Sequence, residues 1–153
     1  MSIDKRLAEL GIEIPNPVAP VANYVPYVVA GNLVSISGQV PVSDGKVIYV
    51  GKVEDTVTLE DACAAARLCA LNIIAQLKAA CGGDLNRVKR IVKLGGFVNC
   101  KNGFGGQPQI INAASDLMVD VFGDKGRHSR SAVGTNALPL NVTVEIDALV
   151  EIE

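Results

Sequence analysis

The spacing of apolar residues along the chain alternates between a period of two and a period of three to four. A period of two is typical of half-buried β-strands, and it is clearest over residues 142–152. There Glu145 and Asp147 fall on a polar face, and the opposite face carries Val142, Val144, Ile146, Ala148, Val150 and Ile152. Other runs rich in β-branched and aromatic residues predict further strands over 24–30, 33–37, 46–50, 88–99 and 131–136.

Two segments have the helical period. Between residues 58 and 81 apolar residues recur every three or four positions, which predicts the longest helix of the chain. Thr58 followed by Asp61 is a capping signal for its first turn, and its many alanines favour close packing against a sheet. A second helix is predicted over 109–121, and Gly123 follows its last turn.

Prolines set the N-terminal part of the chain apart. A short amphipathic turn at residues 8–10 is followed by three prolines between residues 15 and 20, which impose an extended path. We therefore predict an N-terminal leader over residues 1–16 and a single domain over residues 17–153. A length of 153 residues is usual for one domain.

The core has to be built from small aliphatic side chains. Apolar residues make up 49% of the chain, yet it has only three Phe, three Tyr and no Trp. Because a small domain hides so much aliphatic surface incompletely, this composition favours coverage by partner subunits. The alternative is a monomer with a well-filled core.

Charge and composition restrict the classes of partner. The formal net charge is −2 and the basic residues are scattered, which disfavours nucleic-acid binding. The four cysteines form no CxxC pair and His128 is the only histidine, so we expect no metal, and cysteines that are reduced and structural. The sequence shows neither a secretory signal nor a long uncharged apolar run, so we expect a cytoplasmic protein without a membrane partner.

Arg130 and Glu145 are the residues that indicate chemistry. They lie on two successive predicted strands joined through Leu138-Pro139. A guanidinium is a rigid fork of donors that suits a carboxylate, and a glutamate can orient a water or accept a proton. Together they indicate a small-anion site. Spacing alone also fits a plain alternative, with Glu145 on the solvent face of a sheet and Arg130 as a loop cation.

Short motifs around these residues point to a known family. One is Ser37-Gly38-Gln39-Val40-Pro41, and the others are Arg130-Ser131, Leu138-Pro139 and Val144-Glu145-Ile146-Asp147-Ala148. With this spacing the chain resembles the Rid family of reactive-intermediate deaminases, also called the YjgF or L-PSP family, over roughly residues 17–153. The resemblance implies an α+β fold of the chorismate-mutase type, in which a mixed β-sheet is backed by two helices. It also implies a homotrimer with ligand clefts between subunits.

The resemblance further implies an activity that needs no cofactor. It is the hydrolysis of small 2-imino or 2-enamino acids to 2-keto acids and ammonia. Arg130 would hold the substrate carboxylate, and Glu145 would position the attacking water. The remaining substrate-binding positions implied by the family are Ser37, Gly38, Tyr24, Asn112 and Ala132. For Tyr24 and Asn112, an ordinary core tyrosine and a helix-capping asparagine are alternatives.

The chain departs from the family pattern next to the arginine. His128-Ser129 stands where typical deaminating members have Pro-Ala, and Ala132 stands where many have cysteine. His128 is either an extra polar group in the cleft or a solvent-exposed loop residue. A non-catalytic trimeric binder or sensor of 2-keto acids is therefore an alternative function. RNA cleavage or translation inhibition is a third, which the acidic composition disfavours.

Overall fold

The computed structural model describes residues 2–20 and 22–153. Over these residues the chain forms three α-helices, seven strands and several short 3-10 turns. The helices are α1 (Ile3–Leu10), α2 (Leu59–Ala80) and α3 (Gln107–Phe122). The strands are β1 (Tyr27–Ala30), β2 (Leu33–Gln39), β3 (Val42–Ser43), β4 (Lys46–Val47), β5 (Val88–Asn99), β6 (Ser129–Thr135) and β7 (Val144–Ile152).

Five strands form a mixed sheet in the order β1-β2-β7-β5-β6. All neighbours are antiparallel except β5 and β6, which run parallel. A parallel pair needs a crossover connection, and α3 supplies it. Strands β3 and β4 form a separate small hairpin. The predicted α+β class, a mixed sheet backed by two helices, is therefore confirmed.

The two long helices cover one face of the sheet. Helix α2 lies over β2 and β7, and α3 lies over β5 and β6. Helix α2 begins as predicted, because Thr58 Oγ1 accepts a hydrogen bond from the Asp61 amide at 3.1 Å. It is long and apolar enough to cross a membrane, but 61% of its most apolar window is buried in the protein, as in a core helix. The described elements leave the opposite face, here called the open face, without a helix.

The N-terminal segment packs more closely than its prediction as a leader implied. A helix over Ile3–Leu10 replaces the short turn expected at residues 8–10, with Ser2 as its N-cap and Gly11, at φ 68°, as its C-cap. Leu7 belongs to the hydrophobic core, and Arg6 Nε donates to the carbonyl of Asp120 on α3 at 2.7 Å. Residues 3–10 are thus part of the same packed unit.

Several strand boundaries differ from those predicted. The strand expected over 46–50 is reduced to Lys46–Val47, because Tyr49 has a φ of 58° that a strand cannot hold. The first strand begins at Tyr27, and β6 begins two residues earlier than expected. Strand β7 begins at Val144, two residues later than predicted, and its alternation is confirmed, since the five predicted apolar-face residues within it, and Val142 before it, are buried.

Candidate functional site

Arg130 and Glu145 lie on opposite faces of the sheet. Arg130 is aligned with Leu94 on β5, which is aligned with Ala148 on β7, and these two partners are buried on the helix-covered face. Glu145 is aligned instead with Phe97, three residues further along β5, and therefore faces the open side. The strand spacing and the rise per residue place the Cα atoms of Arg130 and Glu145 about 14 Å apart. The described chain therefore forms two separate groups.

Glu145 belongs to a groove of about 630 Å³, here called the Glu145 groove. Gly38 and Tyr24, two of the substrate-binding positions implied by the family resemblance, line the same groove. Most of the remaining wall is apolar, and it includes Val18, Ala19, Pro20, Ala22, Pro26, Val40, Val42, Val47, Pro139 and Leu140. A concave apolar site with one carboxylate can hold a small organic molecule and aim a polar group at it.

A glycine makes room for the carboxyl group. The pairing of β2 with β7 is interrupted between Ile36 and Gln39, and Gly38 lies in this bulge. A Cβ atom added to Gly38 would lie 2.9 Å from Cδ and 3.1 Å from Cγ of Glu145, and closer still to a carboxylate oxygen. The Glu145 carboxyl group thus packs directly against the Gly38 backbone. No side chain larger than hydrogen fits there without moving it.

Burial raises the pKa of Glu145, and the negative charge of Asp147 raises it further. Asp147 is two residues along β7 and therefore faces the same open side. A carboxylate with a raised pKa is a better proton acceptor than an exposed one. Glu145 is therefore suited to draw a proton from a bound water.

Ser37 supports the groove from outside its lining. Its Oγ donates to the carbonyl of Val25 at 2.8 Å, and its amide donates to the carbonyl of Pro26 at 2.9 Å. These bonds fix the segment that carries Tyr24. Ser37 is not among the residues that line this groove, and its predicted place in a cleft between subunits stays a prediction.

Arg130 forms the second group together with α3. Its Nη1 donates to Ser115 Oγ at 3.1 Å, and its Nη2 donates to the carbonyl of Pro108 at 3.3 Å. Asn112 lies one turn after Pro108 and three residues before Ser115, so it shares this side of the helix, where it is exposed. Ala132, two residues after Arg130 on β6, shares its face of the sheet. The group thus contains three of the predicted residues, Arg130, Asn112 and Ala132.

Ser115 was not predicted as part of this group, and His128 was given there only as one of two alternatives. His128 Nε2 lies 2.8 Å from Ser115 Oγ, and His128 Nδ1 lies 2.6 Å from the carbonyl oxygen of Gly126. His128 is therefore a partly buried, hydrogen-bonded residue and not a solvent-exposed loop histidine. The sequence contains one signal for Ser115, which is its spacing of three residues from Asn112 on a predicted helix.

The two groups offer charge and hydrogen bonding more than metal ligands. Among the residues that the structure describes, no three His, Cys, Asp or Glu side chains are grouped as metal ligands would be. The four cysteines are free. Burial, followed by the charge of Glu145, raises the pKa of the Cys69 thiol, which lies below the sheet and is kept protonated.

The fold and these two groups define a class of protein. Residues 4–152 match the family described as "YjgF/chorismate mutase-like, putative endoribonuclease". This match spans nearly the whole chain, including helix α1. The chain therefore belongs to the YjgF family, as the sequence motifs predicted.

Individual relatives are similar over almost their full length. The chain is 47% identical to Protein TCP17 of Trypanosoma cruzi over 147 residues, which cover 95% of this chain and 91% of that protein. It is 48% identical to the crystal structure of Atu1372 from Agrobacterium tumefaciens, with a TM-score of 0.92 and coverage of 99% and 92%. A structure from Shewanella oneidensis, described as a "putative endoribonuclease", is 38% identical, with a TM-score of 0.95 and coverage of 99% and 100%.

Proposed function

We propose that the protein hydrolyses small 2-imino or 2-enamino acids to 2-keto acids and ammonia, in clefts between the subunits of a homotrimer. The observation that carries the proposal is the separation of Arg130 and Glu145 onto opposite faces of one sheet. Two copies of the chain are needed to bring a carboxylate-binding arginine and a water-orienting glutamate to one ligand. No cofactor takes part in the reaction.

The reaction needs only these groups. Arg130 holds the substrate carboxylate through guanidinium donors that Ser115 and Pro108 do not use. Glu145 accepts a proton from a water as the water oxygen bonds to the imine carbon, and it returns this proton to the nitrogen, which gives a carbinolamine. The carbinolamine hydroxyl then gives its proton to the nitrogen while the C=O bond forms and the C–N bond breaks, so that ammonia leaves and one water is consumed per imine. An enamine first takes a proton at its terminal carbon and enters as the imine. Orientation of bound water next to a reactive imine supplies the required acceleration.

The open face of the sheet supports the assembly. It carries several exposed apolar side chains that the described part of the chain leaves uncovered, namely Val28, Leu33, Phe97 and Val133. Phe97 and Val133 lie in register with Glu145. A second copy placed here buries these side chains and completes the wall of the Glu145 groove.

The first test measures consumption of freshly generated 2-iminobutanoate and release of 2-oxobutanoate. We expect wild-type protein to accelerate both, and Arg130→Ala to reduce kcat/KM by about 100-fold, because a charge-assisted pair to the carboxylate is lost. Arg127→Ala is the matched control, since Arg127 makes only an exposed ion pair with Asp124 at 3.3 Å. An Arg130→Ala protein with the full rate would reject the role of Arg130.

The second test uses subunit mixing. Arg130→Ala and Glu145→Gln are each expected to keep no more than about one hundredth of the activity when alone, because every cleft of either assembly lacks one group. In a closed ring mixed at equal amounts, about a quarter of the clefts combine an intact Arg130 with an intact Glu145, so about a quarter of the wild-type activity should return. Subunit exchange is verified by mass spectrometry. Complete exchange without any recovery of activity contradicts a shared cleft.

Two other functions are outcomes of the same experiments. A protein that binds 2-oxobutanoate through Arg130 without accelerating imine loss is a binder or sensor. The family description also names endoribonuclease activity. However, both ring nitrogens of the single histidine, His128, are engaged with Ser115 and Gly126, away from the Glu145 groove. RNA cleavage that persists in purified Arg130→Ala and Glu145→Gln variants would favour that function over ours.

A further inference from the structure

We infer that Ser115 and His128 are positioning residues, which hold the guanidinium of Arg130 in the orientation that binds a substrate carboxylate. The inference rests on the proposed function, because it assigns how the arginine of that site is aimed. It concerns His128, which stands two residues before Arg130.

The directions of the hydrogen bonds are determined by the chemistry of the groups. The carbonyl oxygen of Gly126 can only accept, so His128 Nδ1, at 2.6 Å, carries a proton and donates. In the neutral ring Nε2 is then an acceptor, and it takes the hydroxyl proton of Ser115 at 2.8 Å. With its proton used in this way, Ser115 Oγ presents lone pairs to Arg130 Nη1 at 3.1 Å. The hydrogen bonds in this series therefore all run in one direction. Arg130 donates to Ser115, Ser115 donates to His128, and His128 donates to Gly126.

This series of hydrogen bonds restricts the rotation of the Arg130 side chain. The hydroxyl of an unassisted serine can turn its proton toward a neighbouring cation, whereas His128 keeps the Ser115 proton pointing away from Arg130. The carbonyl of Pro108 holds the second guanidinium nitrogen at 3.3 Å. Two nitrogens fixed on α3 leave the remaining edge of the planar fork to a ligand, and preorganisation of this kind lowers the entropic cost of binding.

The backbone that carries these hydrogen-bonding groups is packed tightly enough to hold them in place. Gly126 is buried, and a Cβ atom added to it would overlap the backbone of Met118 and lie 2.9 Å from the amide nitrogen of Val119. Close contact with α3 thus fixes the carbonyl that orients His128. Ser115 is in the middle of the same helix. Ser115 and the carbonyl group of Gly126 are therefore both held by helix α3.

The decisive experiment measures 2-oxobutanoate binding by calorimetry together with imine hydrolysis. We expect Ser115→Ala to raise Kd and KM about five- to tenfold with kcat within about twofold, because one hydrogen bond to the charged group is lost and Glu145 is untouched. Ser115→Thr retains the hydroxyl and should stay near wild type. Ser129→Ala is the matched control, because Ser129 Oγ bonds the carbonyl of Val92 and has no contact with the guanidinium.

A double variant tests whether His128 acts through Ser115. His128→Ala is expected to weaken binding by about threefold, and the Ser115→Ala/His128→Ala protein should resemble Ser115→Ala alone. Additive losses would mean that His128 acts by another route. Because His128 is the only histidine in the chain, nitrogen NMR of its ring is free of overlap. We expect the neutral Nδ1–H tautomer, and observation of the Nε2–H tautomer overturns the assigned direction.

The outcomes separate the two proposals. If Arg130→Ala abolishes binding while Ser115→Ala leaves Kd within about twofold of wild type, the positioning role is rejected and the proposed function stands. If the wild-type protein neither binds 2-oxobutanoate nor consumes the imine, the proposed function fails and the positioning role fails with it. Thermal unfolding of each variant identifies losses that come from a destabilised fold, because these also lower kcat.

Discussion

Replacing Gly38 with alanine tests whether the position of the Glu145 carboxylate matters for turnover. The backbone of Gly38 has no positive φ, so alanine is conformationally allowed there. The added Cβ atom would lie 2.9 Å from Glu145 Cδ, whereas ordinary contact begins at 3.4 Å, and a carboxylate oxygen is closer still. The carboxyl group therefore has to withdraw by about 1 Å. A misplacement of about 1 Å lowers a rate by about 100-fold.

The assay is kcat/KM for freshly generated 2-iminobutanoate, with Gly95→Ala as the matched control. Gly95 also has no positive φ, and its added Cβ would displace the carboxylate of Asp147 in the same way, with Cγ at 3.1 Å. We expect Gly38→Ala to lose about 100-fold in kcat and to keep its affinity for 2-oxobutanoate, whereas Gly95→Ala keeps most of its rate. In a protein that already carries Glu145→Gln, Gly38→Ala should cause no further loss of kcat. A Gly38→Ala enzyme within about threefold of wild type would refute the reasoning.

Three further predictions concern pH and stability. Burial and the charge of Asp147 raise the pKa of Glu145, so activity should fall as the pH drops through this raised pKa. Asp147→Asn removes the charge and should move the acid limb of the kcat/KM profile to lower pH. An acid limb that stays in place would exclude the charge of Asp147 as a cause. The buried side chain of Asn99 makes three hydrogen bonds, so Asn99→Ala should lower the free energy of unfolding, measured in urea, by about 3 kcal/mol. The exposed control Asn32→Ala should lower it by about 0.5 kcal/mol or less. Removal of the α2 cap by Thr58→Ala should cost about 1 kcal/mol, and equal midpoints would contradict its capping role.

Most of the fold could be predicted because its most regular helices and strands have clear local sequence patterns. Helix α2 has a helical period with a capping residue at its start, and β7 alternates without a break in its buried face. The errors lie where a single residue changes the backbone. Tyr49, at positive φ, ends a strand that its β-branched neighbours favour. Helix α1 is longer than the predicted turn because Ser2 caps its first turn and Gly11, at positive φ, ends it.

The site could be predicted only in part, because its geometry depends on register. Arg130 and Glu145 were recognised from motifs, but their opposite orientations follow from the three-residue offset between Leu94 and Phe97 on β5. No local pattern contains that offset. The link from Arg130 to Ser115 likewise joins a strand to a helix and arises only when α3 packs on β6.

The way the N-terminal segment is attached has a practical consequence for protein engineering. Arg6 anchors α1 to α3, while Gln76 Nε2 on α2 donates to the carbonyl of Val18 at 2.8 Å, and Val18 lines the Glu145 groove. Residues 12–17 between these anchors have no regular secondary structure. A purification tag or fusion partner that detaches α1 from α3 would leave this segment attached only at Val18. A tag for kinetic work is therefore better placed after Glu153 than before helix α1, whose displacement would loosen a wall of the Glu145 groove.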